Sequence, residues 1–321
     1  PAHWPLAVGT AARLGAPGGR ARVGGSLHSR ARDRAVISHH YDLSNEFYAL
    51  LLGTPMAYSC AYWTPRAQTL AEAQRAKFDL ICRKLALEPG RRLLDVGCGW
   101  GAFAVFAARE YGVRVVGVTL SERQHALATA LVADSGVADL VELRHQDYRE
   151  IVDGPYDAIS CVEMGEHVGD ARYPAFAARL HGLLRPQGRL LLQQMSRGSA
   201  APGGGAFIET YIAPDMHMRP LGATVALLEE AGLEVRHTEA MREHYARTID
   251  AWRDTLEERR ADFTALVGPA TVRLWRLYLV GSSMAFAERR MGVDQVLAVR
   301  PSPDGPSGAP PTPAAWYEGL R

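Results

Sequence analysis

Cysteine is scarce in this chain, with only four in 321 residues. Cys60, Cys82, Cys98 and Cys161 show none of the spacings typical of metal ligands, and we expect no secretory leader. We therefore expect no metal site, and four reduced thiols in a cytoplasmic protein. The sequence also lacks an apolar run long enough to span a bilayer, so a lipid substrate would have to be reached from the water side.

Neither sign of charge dominates the composition. The 36 basic and 35 acidic side chains argue against a general nucleic-acid-binding protein. Residues 13–34 are a local exception to this balance of charge, because they contain six arginines and one acid, Asp33. We interpret residues 1–34 as a flexible basic leader, and the alternative is an arm attracted to anionic phospholipid.

The most informative segment is LLDVGCGWGAF, which starts at Leu93. Its apolar start predicts a buried parallel strand that ends near Asp95. Gly97, Gly99 and Gly101 then allow a tight turn and close approach of a ligand, and the helical pattern that follows points its first amides at that ligand. The spacing is GxGxG rather than the dinucleotide fingerprint GxGxxG, and a tight turn in some other α/β protein is the alternative.

Strand-like and helical segments alternate after residue 90. Strands are predicted at 93–96, 113–120, 139–148, 156–164 and 188–196, with a last strand in 291–300. Such alternation predicts an α/β fold with a doubly wound, mostly parallel sheet that binds ligands at the carboxyl ends of its strands.

We divide the chain on the same basis. The leader is followed by one domain, residues 35–300, and by a loose Pro- and Gly-rich tail, residues 301–321. Within the domain we expect an N-terminal helical segment (35–90), a cofactor-binding core (91–196), a helical acceptor-binding cover (197–290) and the last strand (291–300).

Six segments in this order resemble the cyclopropane-fatty-acid synthase family, which includes the mycolic acid cyclopropane synthases. They are HHYDLSNEFYALLLG, MAYSCAYW, LLDVGCGWGAFA, GVTLSERQ, GEHVG and EHYARTIDAW. The resemblance spans about residues 35–300. It implies a class I methyltransferase fold with a seven-stranded sheet, and S-adenosylmethionine as the cofactor.

The resemblance also implies which residues bind the cofactor. The glycine turn would hold its methionine part under Tyr58 and Ser59, while Thr119 and Gln124 would contact the ribose. Tyr148 stands where the family usually has Trp and would lie against the adenine, with ordinary core packing as the alternative. The full predicted set is Tyr58, Ser59, Asp95, Gly97, Gly99, Trp100, Gly101, Thr119, Gln124, Asp147 and Tyr148.

The reaction that the family performs makes specific demands on the site. Methylating an isolated alkene leaves a carbocation, so the site must exclude water, present aromatic faces and remove a proton. The resemblance implies that a bound bicarbonate ion takes this proton. Its holders would be Cys60, Glu166 and Tyr245, together with the backbone amide of Met195; a buried, inert thiol is the alternative for Cys60.

Two departures from the family pattern put ring closure in doubt. Gln193 stands where the family usually has His, and an amide can donate a hydrogen bond but cannot take a proton. Glu163 and Gly165 stand where relatives carry apolar or bulky residues, and the extra carboxylate could stabilise a cation or alter the outcome. The product is therefore left open between a cyclopropane, a methylene chain and a methyl-branched chain reduced by a partner.

The acceptor pocket is expected among aromatic side chains, each of which has core packing as its alternative. They are Phe47, Tyr62, Trp63, Phe207, Tyr211, Trp252, Trp275, Tyr278 and Phe286. The segment IAPDMHMRP suggests a lid whose Arg219 meets a lipid head group.

The sequence thus predicts a methyltransferase that uses S-adenosylmethionine on the double bond of an unsaturated, phospholipid-bound acyl chain. Peripheral contact with the inner membrane face is expected. A methyltransferase for a small natural product, and a non-catalytic binding protein with the same fold, are the alternatives. The oligomeric state stays open, a homodimer included.

Overall fold

The computed structural model describes residues 24–41, 44–198 and 205–320. Its centre is one seven-stranded sheet. The strands are β1 (Arg92–Val96), β2 (Arg114–Thr119), β3 (Val141–His145), β4 (Tyr156–Val162), β5 (Leu184–Ser196), β6 (Glu234–Ala240) and β7 (Gly292–Val299). Their order is β3-β2-β1-β4-β5-β7-β6, and only β7 runs antiparallel to its neighbours. The predicted doubly wound, mostly parallel sheet is confirmed.

Helices flank this sheet and cover one end of it. They are α1 (Arg30–Tyr41), α2 (Asn45–Leu52), α3 (Leu70–Lys84), α4 (Ala102–Tyr111), α5 (Glu122–Asp134), α6 (Tyr173–Leu183), α7 (Ala206–Tyr211), α8 (Leu221–Glu230), α9 (Arg242–Glu258), α10 (Arg260–Ala287) and α11 (Ala314–Tyr317). Ser121 accepts from the backbone N–H of Gln124 and caps α5. Gly268 has non-helical dihedral angles and kinks α10 just before Pro269.

Neighbouring residues of the central strands face opposite layers of the core. Leu94 of β1 and Leu192 of β5 pack in an apolar cluster with α6, while Leu93 and Leu191 pack in a second cluster with α3 and α4. Because side chains alternate along a strand, burial on both faces produces the continuous apolar runs seen in the sequence. A third, aromatic cluster joins α2, α9 and α10 to the loop after β1 at Trp100.

The structure corrects the predicted division of the chain in three places. The stretch read as a helical cover, 197–290, contains the sheet strand β6. The leader was given as 1–34, but α1 begins at Arg30; residues 1–23 lie outside the described part of the chain. The tail is not loose throughout, because Trp316 of α11 is 5% exposed and packs with Leu80 and Leu297. Among the described residues, no helix is long and apolar enough to cross a membrane.

Candidate active site

A deep pocket opens at the carboxyl ends of β1, β2 and β4, where a doubly wound sheet is expected to bind its ligand. Most of the predicted cofactor-binding residues line it, namely Tyr58, Ser59, Asp95, Gly97, Gly99, Trp100, Thr119, Gln124 and Tyr148. Gly101 and Asp147 do not. Glu163, the extra carboxylate expected near the pocket, lines it as well, and so do Asp33 and Val36 of α1, which were not predicted.

The glycine turn brings the backbone close to the pocket. Gly97 has a φ of 80°, and a Cβ on it would lie 3.0 Å from the side chain of Met164. Its N–H donates to the carbonyl of Val118 at 2.9 Å, and the N–H of Gly101 donates to the carbonyl of Cys98 at 2.9 Å. These two N–H groups are therefore used within the protein, so Gly97 serves the site through close approach and Gly101 through the start of α4.

Two buried ionisable residues, Asp95 and Lys77, lie beside the turn and influence each other's charge. Asp95 accepts from the hydroxyl of Ser160 at 2.8 Å, and burial raises the pKa of Asp95 to about 6. Lys77 is fully buried and donates to Oγ of Ser59 at 2.6 Å. Burial lowers the pKa of Lys77 to about 8, while the carboxylates of Glu163 and Asp95 act in the opposite direction. Lys77 lies in none of the motifs that identified the other site residues.

The predicted ribose and adenine residues follow β2 and β3. Thr119 donates through its hydroxyl to Oε1 of Gln124 at 2.9 Å, and both side chains are buried. Tyr148 places its ring edge-on to Phe176, with the centroids 5.4 Å apart. Asp147 instead pairs with Arg149 at 2.6 Å, so it shapes the loop that presents Tyr148.

Glu163 lies at the centre of the polar end of the site. It is the residue after β4 and adopts a left-handed backbone with φ of 53°, which is uncommon for a residue with a side chain. Its Oε1 accepts from the backbone N–H of Cys60 at 2.8 Å and from Nε2 of Gln193 at 2.9 Å. Its Oε2 accepts from the hydroxyl of Tyr245 at 2.5 Å.

The residues predicted to hold bicarbonate therefore lie close together. Their donor groups, however, bond to the side-chain carboxylates of Glu163 and Glu166. The backbone N–H of Met195, also predicted to hold the ion, donates to Oε1 of Glu166 at 2.5 Å, and Glu166 is itself one of the predicted holders. Cys60 takes part through its main chain, since its thiol is directed to the carbonyl of Ala61 at 3.3 Å. Because the N–H of Cys60, the hydroxyl of Tyr245 and the N–H of Met195 each already have a carboxylate acceptor, this arrangement does not fit a bicarbonate ion held by the same groups.

Burial and mutual repulsion set the charge state of the two carboxyl groups. Burial raises the pKa of Glu163, while its three hydrogen bonds and Lys77 oppose the rise. Burial and then the charge of Glu163 raise the pKa of Glu166 to about 8. Burial also raises the pKa of Cys60 and of Tyr245, so both keep their protons. Burial therefore favours the protonated form of Glu166, whereas three hydrogen bonds and Lys77 favour the ionised form of Glu163.

Arg219 does not lie at a tunnel mouth. It is 2% exposed, pairs with Asp170 at 3.0 Å and lies over the ring of Tyr173 at 3.7 Å. Its positive charge acts on Glu166 from within the protein. Arg219 therefore belongs to the packing behind the site, and the predicted head-group contact is not supported.

An aromatic wall adjoins the carboxylates. Of the predicted acceptor residues, the wall includes Phe47, Trp252, Trp275, Tyr278 and Phe286. Tyr58 connects this wall to the pocket, because its hydroxyl lies 3.0 Å from that of Tyr278 and its ring lies 5.1 Å from Trp252. Tyr62 also packs against this wall while its hydroxyl donates to Glu239. Trp63 instead donates to Thr248, and Phe207 packs on Tyr211 within α7.

The chain matches a known family over most of its length. Residues 28–296 match the family model of mycolic acid cyclopropane synthetase. A probable fatty acid methyltransferase of Pseudomonas putida is 42% identical over 296 residues, which cover 90% of this chain and 75% of that protein. Cyclopropane mycolic acid synthase 1 of Mycobacterium tuberculosis is 34% identical over 274 residues, which cover 81% of this chain and 95% of that protein.

Solved structures show the same similarity. The mycolic acid cyclopropane synthase CmaA1, complexed with SAH and CTAB, has a TM-score of 0.78 and 33% identity, covering 83% of this chain and 97% of that one. The cyclopropane synthase MmaA2 from Mycobacterium tuberculosis has a TM-score of 0.79 and 30% identity, covering 85% and 99%. The family match includes every site residue described above, from Tyr58 to Tyr245.

Proposed function

The chain belongs to the mycolic acid cyclopropane synthetase family and is an S-adenosylmethionine-dependent methyltransferase, and we propose that it methylates the double bond of an unsaturated, phospholipid-bound acyl chain. The observation that supports this acceptor most is the continuity of the cofactor pocket with a buried aromatic wall through Tyr58. Aromatic faces stabilise a passing cation, and buried walls keep out the water that would quench it.

The proposed cofactor-binding roles rest on the family resemblance, and the lining of the pocket supports them. Gly97 and Gly99 approach the methionine part, Thr119 and Gln124 face the ribose, and the ring of Tyr148 faces the adenine. The cofactor supplies an electrophilic methyl group on a sulfonium. Lys77 holds Ser59 in place beside that group, and Asp95 supports the turn beneath it.

The chemistry of the acceptor permits more than one product. Attack of the π electrons on the methyl carbon breaks the carbon–sulfur bond and leaves a cation on the neighbouring carbon. Loss of a methyl proton then closes a cyclopropane. If a 1,2-hydride shift moves the cation first, loss of the same proton gives a methylene group, which a reducing partner could convert to a methyl branch. In each case the site must supply a base.

We also propose that the outer face of α10 contacts the lipid surface. Arg273, Leu277, Val280 and Met284 recur on one face of the helix, and Leu277 is 58% exposed while Met284 is 48% exposed. Apolar side chains beside an arginine suit an anionic phospholipid surface. Leu277→Asp should reduce sedimentation with anionic vesicles. A particle that is dimeric without lipid and monomeric after this substitution would show that a second copy of the chain occupies the face instead.

The function is tested with labelled cofactor and vesicles of mixed unsaturated phospholipids. Transfer of label to an acyl chain is expected, with a mass gain of about 14 units for a ring or methylene product and about 16 units after reduction. Mass spectrometry after chain cleavage locates the added carbon. Cofactor binding without label in any lipid would overturn the proposal and favour a small natural product as acceptor or a binding protein.

A further inference from the structure

Three donors from different parts of the chain converge on one carboxylate inside the pocket. The backbone N–H of Cys60 comes from the loop before α3, the amide of Gln193 from β5 and the hydroxyl of Tyr245 from α9. All three bond to Glu163, which lines the pocket. Bicarbonate and a glutamate side chain both present a planar pair of acceptor oxygens, so the same donors can hold either one.

We propose that the carboxylate of Glu163 is itself the base of the reaction, built into the chain in place of a bound bicarbonate ion. The inference rests on the proposed function, because it concerns the proton that the methylated acyl chain must lose. It predicts that the enzyme needs no exogenous anion. Glu163 is then a catalytic residue, and Gln193 and Tyr245 are residues that position it.

The backbone of this segment is built to place the carboxylate there. Glu163 keeps its left-handed conformation while its N–H donates to the carbonyl of Gln193 at 2.6 Å. Two residues later, a Cβ on Gly165 would lie 2.3 Å from Oε1 of Gln194, so a side chain there would displace that buried amide. An unfavourable φ at a buried charged residue is typical of a functional segment.

The neighbouring groups are poorer bases. Cys60 and Tyr245 keep their protons because burial raises the pKa of each. Glu166 accepts from the N–H of Met195, and its pKa of about 8 leaves it protonated at neutral pH. Gln193 has no basic atom available, because its oxygen accepts from Gln295. Glu163 is thus the carboxyl group in this cluster whose ionised form is supported by three donors and by Lys77, and a carboxylate can take a proton.

The proposed step balances within the site. The methyl C–H bond breaks, its proton passes to an oxygen of Glu163, and its electron pair forms either the new ring bond or the new π bond. The products are the neutral modified chain, S-adenosylhomocysteine and a protonated Glu163. The proton returns to water when the products leave.

The first experiment varies bicarbonate with the wild-type protein. Turnover is measured with labelled cofactor and unsaturated phospholipid vesicles in carbon dioxide-depleted buffer, with and without added bicarbonate. We expect the two rates to agree within about twofold. A rate that falls at least about tenfold on depletion and recovers with bicarbonate would overturn the proposal.

The second experiment removes the carboxylate in two ways. Glu163→Gln keeps the shape but loses the base, so turnover should fall about 100-fold or more while cofactor affinity stays within about threefold. Glu163→Ala leaves the three donors around an empty space, so formate, acetate or bicarbonate should restore turnover in a saturable way. Among acids that fit, the rescued rate should rise with the basicity of the acid, which a purely structural role would not produce. Glu229→Gln, an exposed change of the same kind, is the matched control.

The outcomes separate this inference from the proposed function. Wild-type protein that labels no lipid would overturn the proposed function itself. Wild-type protein that labels lipid while Glu163→Gln does so equally fast would overturn only the assignment of the base. His167 also lines the pocket, and a loss confined to His167→Gln would assign the base to that side chain instead. If Glu163→Gln does not fold, the bicarbonate dependence of the wild type still decides the question.

Discussion

Gln295 donates a hydrogen bond from Nε2 to Oε1 of Gln193 at 2.9 Å, and both side chains are fully buried. The oxygen of Gln295 accepts in turn from Nζ of Lys84 at 2.8 Å. Because its oxygen is held in this way, Gln193 presents only N–H groups to Glu163. A series of hydrogen bonds that starts at the buried ammonium group of Lys84 therefore fixes the orientation of the Gln193 amide. This amide in turn supports the carboxylate of Glu163.

Replacing Gln295 should allow the side-chain amide of Gln193 to rotate. In Gln295→Met the amide of Gln193 can turn its oxygen toward Glu163, which would raise the pKa of the carboxyl group further. We expect kcat at pH 7 to fall about tenfold and the acid limb of the pH profile to move up by about one unit, with an unchanged KM for the cofactor. A change in Tm with no shift of the pH limb would indicate a purely structural role. Gln68→Met, at an exposed position, is the control.

The parts of the fold that could be predicted are those whose burial leaves a periodic signal. β1, β4 and β5 are buried on both faces and therefore read as continuous apolar runs. β6 could not be found in this way, because the segment EVRHTEA has few apolar residues and its pairing with β7 shifts register between Val235 and His237. Its place in the sheet is decided by its neighbour β7 rather than by its own sequence.

The candidate site was predictable as a set of residues but not as a set of contacts. The motifs identified the donors, and the departure at Glu163 was noted, yet its role as their shared acceptor depends on a backbone conformation that no spacing reveals. Lys77 could have been suspected, since it lies three residues after Gln74 and four before Ile81 on the buried face of α3. A lysine on an apolar helix face signals a buried partner.

The protonated state of Glu166 should appear in the pH dependence of stability. Burial and Glu163 raise the pKa of Glu166 from 4.5 to about 8, while Arg219 and the N–H of Met195 oppose the rise. The folded state therefore holds a proton that the unfolded state releases, and stability from this group is present at low pH and lost as the pH rises through this window. The slope is at most about 1.4 kcal/mol per pH unit.

Glu166→Gln should remove that part of the slope. Urea denaturation at several pH values between about 4.5 and 8 gives the free energy of unfolding for wild type and variant. As the pH rises, the free energy of unfolding of the variant should increase relative to that of the wild type. A constant difference across the range would show that Glu166 is ionised in the folded protein. Glu230→Gln, an exposed change, should retain the wild-type slope.

Lys77→Met should separate activity from stability. The substitution removes a buried ammonium group that faces both Asp95 and Glu163, so their carboxyl groups lose a stabilising charge. We expect turnover at pH 7 to fall about 10- to 100-fold and to recover partly at higher pH. Tm should change by only a few degrees, because a methionine avoids the cost of burying a charge. Unchanged turnover at pH 7 would contradict a role for Lys77 in the charge balance of the site.

The ring of Tyr148 should determine affinity for the adenine part of the cofactor. Arg149, which pairs with Asp147 and Asp33, holds the loop that presents this ring at the pocket. In Tyr148→Ala the stacking surface is lost, and the Kd for S-adenosylhomocysteine should rise about tenfold by calorimetry. Tyr148→Phe keeps the ring and should bind within about threefold of wild type. Equal weakening in both variants would show that the hydroxyl rather than the ring makes the contact, and unchanged binding in both would move the adenine away from Tyr148.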